Sequence, residues 1–483
     1  MFLVAPHGAA ARYLLRTDVV GTLIGGGARP LALVPNPDEP YLREELERKG
    51  VRVERLRAPE TPSGALWTTL VYLRQNTLGG GATARTLQSR YANARAELAR
   101  TKPLVARALD IPLRLLWRSR RLRRAALRAE ARLFSPRPHR DLFARYRPAL
   151  VVTTSPGWFL PDAIVLREAE REGVPTAATV VAWDNPTSKG YRGAEPDLTV
   201  AWSDAMTGQL VDHHDLDPRR IAVGGVPQFD PYLRPGALPS REELFTELGL
   251  DPERRLILFA CRSPSTYSHN LTVAAVLADA IERDALEAPA QVVVRPHPIN
   301  FRSDHRTPVT GYVELGEDRE HLVIDVPVVS SERMACDVPE DDYRRLGGLM
   351  AHCDVLVNAF STTTLEGFLL GRPVVLVSDE AHLSGDLGDD SREGRPFHLD
   401  THMETVLERD AAQVARSFGQ IPERVNAYLR DPELDAEARH AVAAHECGPA
   451  DGLAGRRVGG LLLRSIGLHT RPAEGDRAVE LAS

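Results

Sequence analysis

The stretch DVLVNAFSTTTLEGFLLGRPVVLV, residues Asp354 to Val377, has the pattern of one unit of a parallel α/β sheet. Its apolar run Val355 to Val357 is typical of a buried strand. The four hydroxyl residues Ser361 to Thr364 then predict the start of a helix. Gly371 ends that helix, and VVLV after Pro373 predicts the next strand. A strand, a helix and a second strand in this order indicate an α/β fold.

The turn before this helix is a candidate anion-binding site. Ser361, Thr362 and Thr363 supply hydroxyl groups there, and the backbone N–H groups at a helix start are free to bind a ligand. The helix dipole also favours negative charge at this end. A well-capped helix without any ligand explains the same residues, so this motif alone leaves both interpretations open.

A second motif, VVVRPHP, lies upstream of the first. Gln291 to Arg295 predicts a strand that runs directly into Pro296-His297-Pro298. In an open α/β sheet, ligands bind just past the carboxyl ends of the strands. The prolines hold His297 at that place and remove backbone donors, so that the side chain must do the binding. A histidine there can donate a hydrogen bond to a phosphate or act as a general acid, and a plain surface loop is the alternative.

Together, STTTLE and RPHP resemble the nucleotide-binding half of GT-B glycosyltransferases. The resemblance is to the branch that builds bacterial surface polysaccharides and teichoic-acid-like polymers. That branch includes nucleotide-sugar transferases, transferases that use CMP-Kdo or CMP-sialic acid, and CDP-glycerol glycerophosphotransferases. Three further segments are similar to the same branch: WDNPTSKG at 183–190, VGGVPQFDPY at 223–232 and GPADGLAGRRV at 448–458.

The resemblance implies an α/β fold of two Rossmann-like, doubly wound domains that face each other across a cleft. The order of elements agrees, because predicted helices alternate with strands in the second half of the chain. The predicted parts are an N-terminal acceptor-side domain over 1–230 with a basic helical insertion at about 60–147, a linker over 231–240, a C-terminal donor-binding domain over 241–465 and a loose tail over 466–483.

The resemblance also implies which residues bind the donor in the second domain. We expect the hydroxyl residues and His297 to contact the donor phosphates, with His297 on the phosphate that departs. Glu366 is expected to accept hydrogen bonds from the ribose, as the matching acid does in related enzymes. The predicted donor-binding set is Arg262, Ser263, Arg295, His297, Ser361, Thr362, Thr363 and Glu366, of which the first two are the weaker candidates.

The first domain must supply a base that activates the acceptor. His7 follows the predicted first strand, and several inverting enzymes of this fold carry their catalytic histidine in a similar place. A neutral imidazole suits the removal of a proton from a hydroxyl group. Asp184 is the rival base, although a cap or an Asx-turn explains either residue. We therefore expect His7, Asp184 and His297 to be catalytic, and Asn185 and Lys189 to contact the acceptor or a phosphate.

The composition agrees with a cytoplasmic enzyme. The chain has 483 residues, of which 43% are apolar and 26% charged, as is ordinary for soluble globular proteins. It contains no apolar run long enough for a membrane span, and MFLVAPHG lacks the basic start of a signal peptide. The four cysteines are scattered, which favours a reducing compartment.

The motifs predict neither a metal nor a cofactor. A divalent ion on a nucleotide diphosphate usually needs an Asp-x-Asp pair, whereas the adjacent acids Asp341-Asp342 and Asp389-Asp390 lie in charged, surface-like contexts. The phosphate loop GxxxxGK[ST], the dinucleotide fingerprint GxGxxG and the serine-nucleophile elbow are all missing from the sequence. We therefore expect the nucleotide-activated donor to be a substrate, without a cofactor or a metal.

One segment of the chain is strongly basic. Lys102 to Arg147 contains 14 Lys or Arg and 3 Asp or Glu, which gives it a net charge of +11 in a chain of net charge −6. Within it, Leu113 to Phe134 predicts one amphipathic helix. Its apolar stripe consists of Leu115, Leu122, Ala126, Ala129 and Leu133.

This helix can lie on an anionic membrane surface, with aromatic residues as interfacial anchors. The predicted membrane contacts are Arg114, Trp117, Arg118, Arg121, Arg124 and Arg128. Alternatively, the helix is solvated and its apolar stripe packs on its own domain. Nucleic-acid binding is not expected, because no reader motif accompanies the arginines.

The sequence therefore predicts a metal-independent glycosyltransferase. It would move a sugar from a nucleotide-activated donor to a surface-polysaccharide or lipid-linked acceptor, in the cytoplasm or peripherally on the inner face of the cell membrane. The alternatives are a CDP-polyol phosphotransferase on the same fold, a nucleotide-sugar 2-epimerase, and a non-catalytic protein that binds polymer or membrane. The sugar, the acceptor, the stereochemical course and the oligomeric state stay open.

Overall fold

The chain folds around two parallel β-sheets in the computed structural model. The structure describes residues 1–58, 64–79, 84–264, 266–301, 309–317, 319–330, 334–378 and 400–469. The acidic pair Asp389-Asp390 and the part of the predicted tail beyond residue 469 lie outside the described residues.

The first sheet has seven parallel strands in the order β3-β2-β1-β4-β5-β6-β7. These are β1 Phe2–Val4, β2 Leu31–Val34, β3 Arg52–Arg55, β4 Val151–Thr153, β5 Thr176–Thr179, β6 Leu198–Ala201 and β7 Ile221–Val223. The central strands β1, β2 and β4 are buried along their whole length, as expected for strands covered by helices on both faces.

The second sheet has six parallel strands in the order β10-β9-β8-β11-β12-β13. These are β8 Arg255–Ala260, β9 Ala290–Arg295, β10 Leu322–Ile324, β11 Val355–Asn358, β12 Val374–Val377 and β13 Gln413–Ala415. Strand β11 lies between β8 and β12, with Val355 opposite Ile257 and Leu356 opposite Val374. The stretch Asp354 to Val377 therefore lies at the centre of this sheet.

Helices connect the strands and cover the sheets. In the first half they are α1 Gly8–Leu15, α2 Asp18–Gly25, α3 Pro40–Arg48, α4 Ala65–Gln75, α5 Arg85–Thr101, α6 Pro103–Arg118, α7 Arg120–Leu133, α8 Arg140–Tyr146, α9 Leu160–Arg171, α10 Asn185–Ser188 and α11 Asp204–His214. In the second half they are α12 Arg241–Leu248, α13 Asn270–Glu282, α14 Val309–Glu317, α15 Glu340–His352, α16 Thr363–Leu369, α17 Glu404–Glu408, α18 Ile421–Arg430, α19 Ala436–Cys447 and α20 Ala454–Arg464. The predicted fold of two doubly wound α/β domains is confirmed.

The last helix returns to the first sheet's side of the molecule. Helix α20 packs on α2, where Gly455 and Gly459 leave room for the close approach of Asp18 and Thr22. Both carboxylate oxygens of Asp230 accept hydrogen bonds from the first backbone N–H groups of α20, at 2.9 and 2.8 Å. The sequence assigned α20 to the second domain, but its apolar face packs into the core of the first.

The basic insertion contains helices α4 to α8. The single helix predicted over Leu113 to Phe134 is wrong, because Ser119 has an extended backbone and separates α6 from α7. Its side chain accepts a hydrogen bond from the Leu122 N–H at 3.3 Å and so caps α7. Serine is a preferred residue at this position, and that signal in SRRL was overlooked.

Candidate functional site

Each sheet reverses its strand order at one point, and the candidate residues lie at these points. The reversal is between β1 and β4 in the first sheet and between β8 and β11 in the second. His7 follows β1, Arg262 follows β8 and Ser361 follows β11. Ligands of open α/β sheets bind in the crevice at such a switch point, so the topology supports a site here.

The turn after β11 has a strained backbone that Arg262 holds in place. Phe360 is buried and has φ 53°, a left-handed conformation that is unusual for an aromatic residue. The Arg262 guanidinium donates hydrogen bonds to the carbonyls of Ala359 and Phe360, each at 2.9 Å. Strain of this kind costs about 1–3 kcal/mol and concentrates at ligand-binding sites.

The hydroxyl groups of this turn form the wall of the candidate donor site. The hydroxyls of Ser361 and Thr363 hydrogen-bond to each other. The Asn358 side-chain oxygen accepts bonds from the Ser361 N–H and the Thr364 hydroxyl, both at 3.2 Å. In the described part of the chain, no acceptor is found for the N–H groups of Thr362 and Thr363. Backbone and hydroxyl donors are thus available for an anion.

His297 is a neutral hydrogen-bond donor in this site. Its Nδ1 accepts the Ile299 N–H at 3.1 Å, so the neutral ring carries its proton on Nε2. Burial, together with the positive charge of Arg262, lowers the pKa of His297 to about 4. The ring is therefore uncharged near pH 7 and can donate from Nε2 to a phosphate oxygen.

Arg295, one residue of the predicted donor set, has different surroundings from those expected. Arg295 is buried and its guanidinium is paired with Asp325 at 2.6 Å and with Asp342. Both carboxylates are also buried, so Arg295 belongs to an internal ion-pair network, and its assignment to the donor phosphates is not retained. Ser263 lies in the Arg262 loop, where its carbonyl accepts the Tyr267 N–H at 3.0 Å.

The Glu366 carboxylate contacts the first domain and the linker. It accepts a hydrogen bond of 2.6 Å from the Tyr232 hydroxyl and lies 3.7 Å from the Arg12 guanidinium. Arg12 also donates to the Tyr232 hydroxyl at 2.8 Å and stacks on the Tyr343 ring. The carboxylate is buried and already paired with Tyr232 and Arg12. These contacts do not support the predicted hydrogen bonds from Glu366 to the ribose.

His7 caps helix α1 at the first switch point. Its Nδ1 accepts the Ala10 N–H at 3.2 Å, which again places the proton of the neutral ring on Nε2. Burial and the charge of Lys189 lower the pKa of His7 to about 4. Since a base needs a free ring nitrogen facing the acceptor, this tautomer makes His7 a donor and contradicts its predicted role as the base.

Asp184 is a half-buried carboxylate directly before α10. Its side chain accepts a hydrogen bond of 2.5 Å from the Ser188 hydroxyl. Burial would raise the pKa of Asp184, but the charges of His402 and Lys189 and the Ser188 bond outweigh it and hold the pKa below its ordinary value. The carboxylate is therefore ionised near pH 7. Asn185 is buried beside it in α10.

His402, which the sequence analysis missed, faces Asp184 from the second domain. Its buried ring packs edge-on against Trp183 with the centroids 5.0 Å apart. Burial lowers the pKa of His402, and the carboxylates of Asp184 and Asp400 offset this only in part. The segment DTHME has no motif that marks this histidine, so only the approach of the two domains could identify it.

The basic insertion holds the Asp184 loop in position. The Arg74 guanidinium donates to the Tyr191 carbonyl at 3.1 Å and is itself held by buried Glu130 at 2.9 Å. The Arg90 guanidinium donates to the Ser188 carbonyl at 2.9 Å. The insertion is therefore part of the structural support of the cleft.

The predicted membrane-surface residues divide into two groups. Arg114, Arg118, Arg121 and Arg128 are exposed. Trp117 is wrongly predicted, because its indole N–H donates to the Asn76 carbonyl at 3.1 Å and its ring packs on Tyr91. Arg124 is also turned inward, with its guanidinium donating to the Asp215 carbonyl at 3.0 Å.

The apolar stripe predicted for this region is exposed. The exposed fractions of Leu115, Leu122 and Leu133 are 52%, 44% and 60%, and Ile111 on α6 is 69% exposed. The alternative of a stripe packed on its own domain is therefore wrong. The residues that pack inward are Ala106, Leu113, Leu116, Arg123, Leu127 and Glu130.

The described residues hold neither a metal cluster nor a membrane-spanning helix. They contain no group of three or more His, Cys, Asp or Glu side chains that could hold a metal ion. Within the same residues, none of the helices is both long and apolar enough to span a bilayer.

Comparison with known families identifies the chain. The family of CDP-glycerol:poly(glycerophosphate) glycerophosphotransferases matches residues 169–464, which is more than half of the sequence. The chain belongs to this family. The match includes the Asp184 loop, the Arg262 and His297 loops, the hydroxyl turn and His402, whereas His7 and the basic insertion lie outside it. The predicted resemblance to this branch is confirmed.

Solved structures show where this glycerophosphotransferase-family chain stands among known folds. It matches UDP-GlcNAc 2-epimerase from Neisseria meningitidis, bound to UDP-GlcNAc, with TM-score 0.55 and 10% identity over 96% of this chain and 99% of that one. A UDP-N-acetylglucosamine 2-epimerase from Listeria monocytogenes matches with TM-score 0.51 and 10% identity over 94% and 93%. A glycosyltransferase from Rickettsia africae has TM-score 0.46 and 12% identity over 96% and 98%.

The two likenesses to epimerases, with TM-scores above 0.5, support the two-domain fold, and at such low identity they say nothing about the reaction. No curated protein matches the sequence. The chain is thus a transferase-family protein.

Proposed function

We propose that this chain transfers a phosphopolyol group from a CDP-polyol donor to a hydroxyl of an anionic, surface-polymer or lipid-linked acceptor. The observation that carries the proposal is the family match over the cleft residues. Family members are described as moving glycerophosphate from CDP-glycerol to poly(glycerophosphate). The sugar transfer expected from the sequence rests on the fold alone, which hosts both chemistries.

The second domain supplies the donor-phosphate contacts. Among described residues, the N–H groups of Thr362 and Thr363 have no acceptor, and the hydroxyls of Ser361 and Thr363, which bond to each other, lie beside them at the turn after β11. Arg262 keeps this turn in its strained shape and adds positive charge. His297 donates from Nε2 to the departing phosphate. Such fixed donors stabilise the negative charge that develops as the bond to the nucleotide breaks.

The first domain activates the acceptor. Asp184, ionised near neutral pH, takes the proton of the acceptor hydroxyl, whose oxygen attacks the phosphorus that carries the polyol. The bond from this phosphorus to the oxygen of the CMP phosphate breaks, and CMP leaves with that electron pair. His7 donates a hydrogen bond from Nε2 to a phosphate oxygen during transfer. Reaction at phosphorus needs such positioning and charge stabilisation above all.

A binding screen tests the donor assignment. Thermal unfolding of the purified protein is measured with CDP-glycerol, CMP, UDP and GDP, in EDTA and with magnesium. We expect CDP-glycerol and CMP to raise the midpoint in either buffer. Arg262→Gln should lose this shift, whereas Arg255→Gln, at the other end of the same strand, should keep it. A shift with UDP or GDP but not with CMP would favour sugar transfer instead.

The insertion also offers a membrane-docking surface, and an anionic lipid bilayer fits it best. Exposed apolar side chains lie along α6 and α7 beside exposed arginines. Among described residues, no carboxylate lies within 4.0 Å of the guanidinium groups of Arg107, Arg114, Arg118, Arg121, Arg128 and Arg132. The two acids of these helices are already used, Asp110 by Arg95 and Glu130 by Arg74 and Arg167. Apolar contact and unneutralised charge together favour anionic headgroups.

A further inference from the structure

Arg90, on helix α5 of the insertion, has no carboxylate within 4.0 Å among the residues that the structure describes. It is half-buried, and burial lowers its pKa. Among described residues, its recorded partner is the Ser188 carbonyl, at 2.9 Å, next to Lys189. A neutral carbonyl does not offset the free-energy cost of desolvating a guanidinium. An anionic ligand would offset this cost.

The first turn of α5 is fixed to the second domain. The Thr86 hydroxyl accepts the Thr401 N–H at 2.9 Å, and the Thr86 N–H donates to the Thr401 hydroxyl at 3.2 Å. Arg85 adds an ion pair of 3.5 Å with Glu404. Arg90 lies one helical turn from Thr86 and hence on the same face. Helix α5 thus contacts both the Asp184 loop and the segment that carries His402.

Lys189 is the second cation on this side of the cleft. Its ammonium lies 5.7 Å from the centre of the Phe159 ring and interacts electrostatically with His7 and Asp184. The donor-phosphate contacts Arg262 and His297 belong to the opposite domain. The two sides of the cleft therefore carry separate groups of cationic and hydrogen-bond donors, and the group on the first domain is adjacent to the proposed base.

We propose that Arg90 and Lys189 form a subsite for a phosphate group of the acceptor, next to the hydroxyl that reacts. This inference rests on the proposed function. It assigns the insertion a direct role in substrate recognition, because α5 supplies the arginine. Helix α5 also packs against α6, so the insertion that carries the exposed apolar surface reaches into the cleft. Arginine and lysine are the usual partners of phosphate in proteins.

A pair of short acceptors tests the subsite. Transfer from CDP-glycerol is measured to glycerophosphoglycerol, which carries a phosphate, and to glycerol, which does not. Wild-type protein should prefer the charged acceptor by about tenfold or more in kcat/KM, as expected for a charge-assisted contact. Arg90→Ala should lose this preference by raising the KM for the charged acceptor, with the KM for CDP-glycerol unchanged. Arg90→Lys should restore part of it.

Arg100→Ala is the matched control on the same helix, because Arg100 is exposed and its ion-pair partner within the described residues is its neighbour Glu97. It should behave like the wild type. If Arg90→Ala keeps the preference for the charged acceptor, the subsite is wrong while the transferase assignment stands. If wild-type protein transfers nothing from CDP-glycerol to either acceptor, the proposed function and the subsite both fall. Equal thermal midpoints of the variants exclude misfolding as the cause.

Discussion

Arg123, in the basic insertion, holds the Asp215 carboxylate through two hydrogen bonds of 2.6 and 2.7 Å. The same carboxylate accepts the Tyr191 hydroxyl at 2.8 Å, a few residues after the proposed base. His214, next to Asp215, contacts the Pro186 carbonyl at 2.7 Å through its Nε2. One buried acid thus connects the insertion to the loop that carries Asp184.

Removing one partner of this pair should destabilise the protein strongly. Arg123 and Asp215 are only 5% and 6% exposed at their side chains, so Arg123→Ala removes the closest cation of a buried carboxylate and leaves the exposed Arg120 guanidinium at 3.7 Å. We expect a loss of about 3–5 kcal/mol in the free energy of unfolding, measured by urea denaturation. The neighbouring exposed Arg121→Ala should change it by less than about 0.5 kcal/mol. Equal effects of both variants would contradict the anchoring role of Arg123.

The variant Glu366→Gln tests whether Glu366 stabilises the contact between the domains or binds the nucleotide. The variant keeps a side-chain oxygen for the Tyr232 hydroxyl but loses the charge that faces Arg12. We expect lower thermal stability with little change in the affinity for CMP, measured by titration calorimetry. A loss of CMP affinity of about tenfold or more, as expected for a lost hydrogen bond to ribose, would instead restore the role predicted from the sequence.

Buried histidines, among them His7 and His297, should make the protein sensitive to acid. The pKa values of His7 and His297 are lowered to about 4 by burial, whereas an unfolded chain protonates histidine near its ordinary value of 6.5. Between these values the unfolded state binds more protons, so stability falls as pH drops from about 6.5 towards 4. Denaturation at several pH values should show this slope.

Asparagine variants provide the control for this pH dependence. His7→Asn and His297→Asn keep an acceptor near the position of Nδ1 and remove the titrating ring. Each should flatten the loss of stability between pH 6.5 and 4, and each should lower activity because the Nε2 donor is gone. His440→Asn, at an exposed position, should change neither. A slope that persists in both site variants would show that other groups cause it.

Vesicle sedimentation tests the docking surface. Replacing Arg114, Arg118 and Arg121 by Gln should weaken binding to phosphatidylglycerol vesicles by about 3 kcal/mol, since each arginine near the surface contributes about 1 kcal/mol. Three exposed arginines of the second domain, Arg283, Arg409 and Arg430, form a control of equal charge. If both triple variants bind equally, or the wild type does not bind, the membrane assignment is wrong.

The sequence was sufficient for the parts of the fold that depend on local pattern. The strand and turn of Asp354 to Val377 were recognisable because the strand is buried on both faces and its turn needs hydroxyl residues. The helix break at Ser119 was missed because the arginine-rich pattern continues through it. The exposure of Leu115 was also not predictable, since periodicity marks an apolar stripe but does not say what covers it.

The surroundings of the candidate site residues could be identified only from the tertiary structure. Arg295 and Glu366 lie in the expected segments, yet buried partners from distant parts of the chain occupy their charged groups. No sequence motif marks His402 or Arg90. His402 reaches the cleft because the second domain packs against the first, and Arg90 reaches it because the insertion folds back onto the Asp184 loop. The tautomer of His7 depends on a single backbone hydrogen bond that no sequence pattern specifies.

The nucleotide that is released distinguishes phosphopolyol transfer from sugar transfer. Wild-type protein is incubated with CDP-glycerol and a glycerophosphate acceptor, and the nucleotides are separated by anion-exchange chromatography. We expect CMP, one glycerophosphate unit added to the acceptor for each CMP formed, and loss of both in Asp184→Asn but not in the exposed Asp204→Asn. Release of CDP, or transfer from a nucleotide sugar without any reaction of CDP-glycerol, would contradict this expectation.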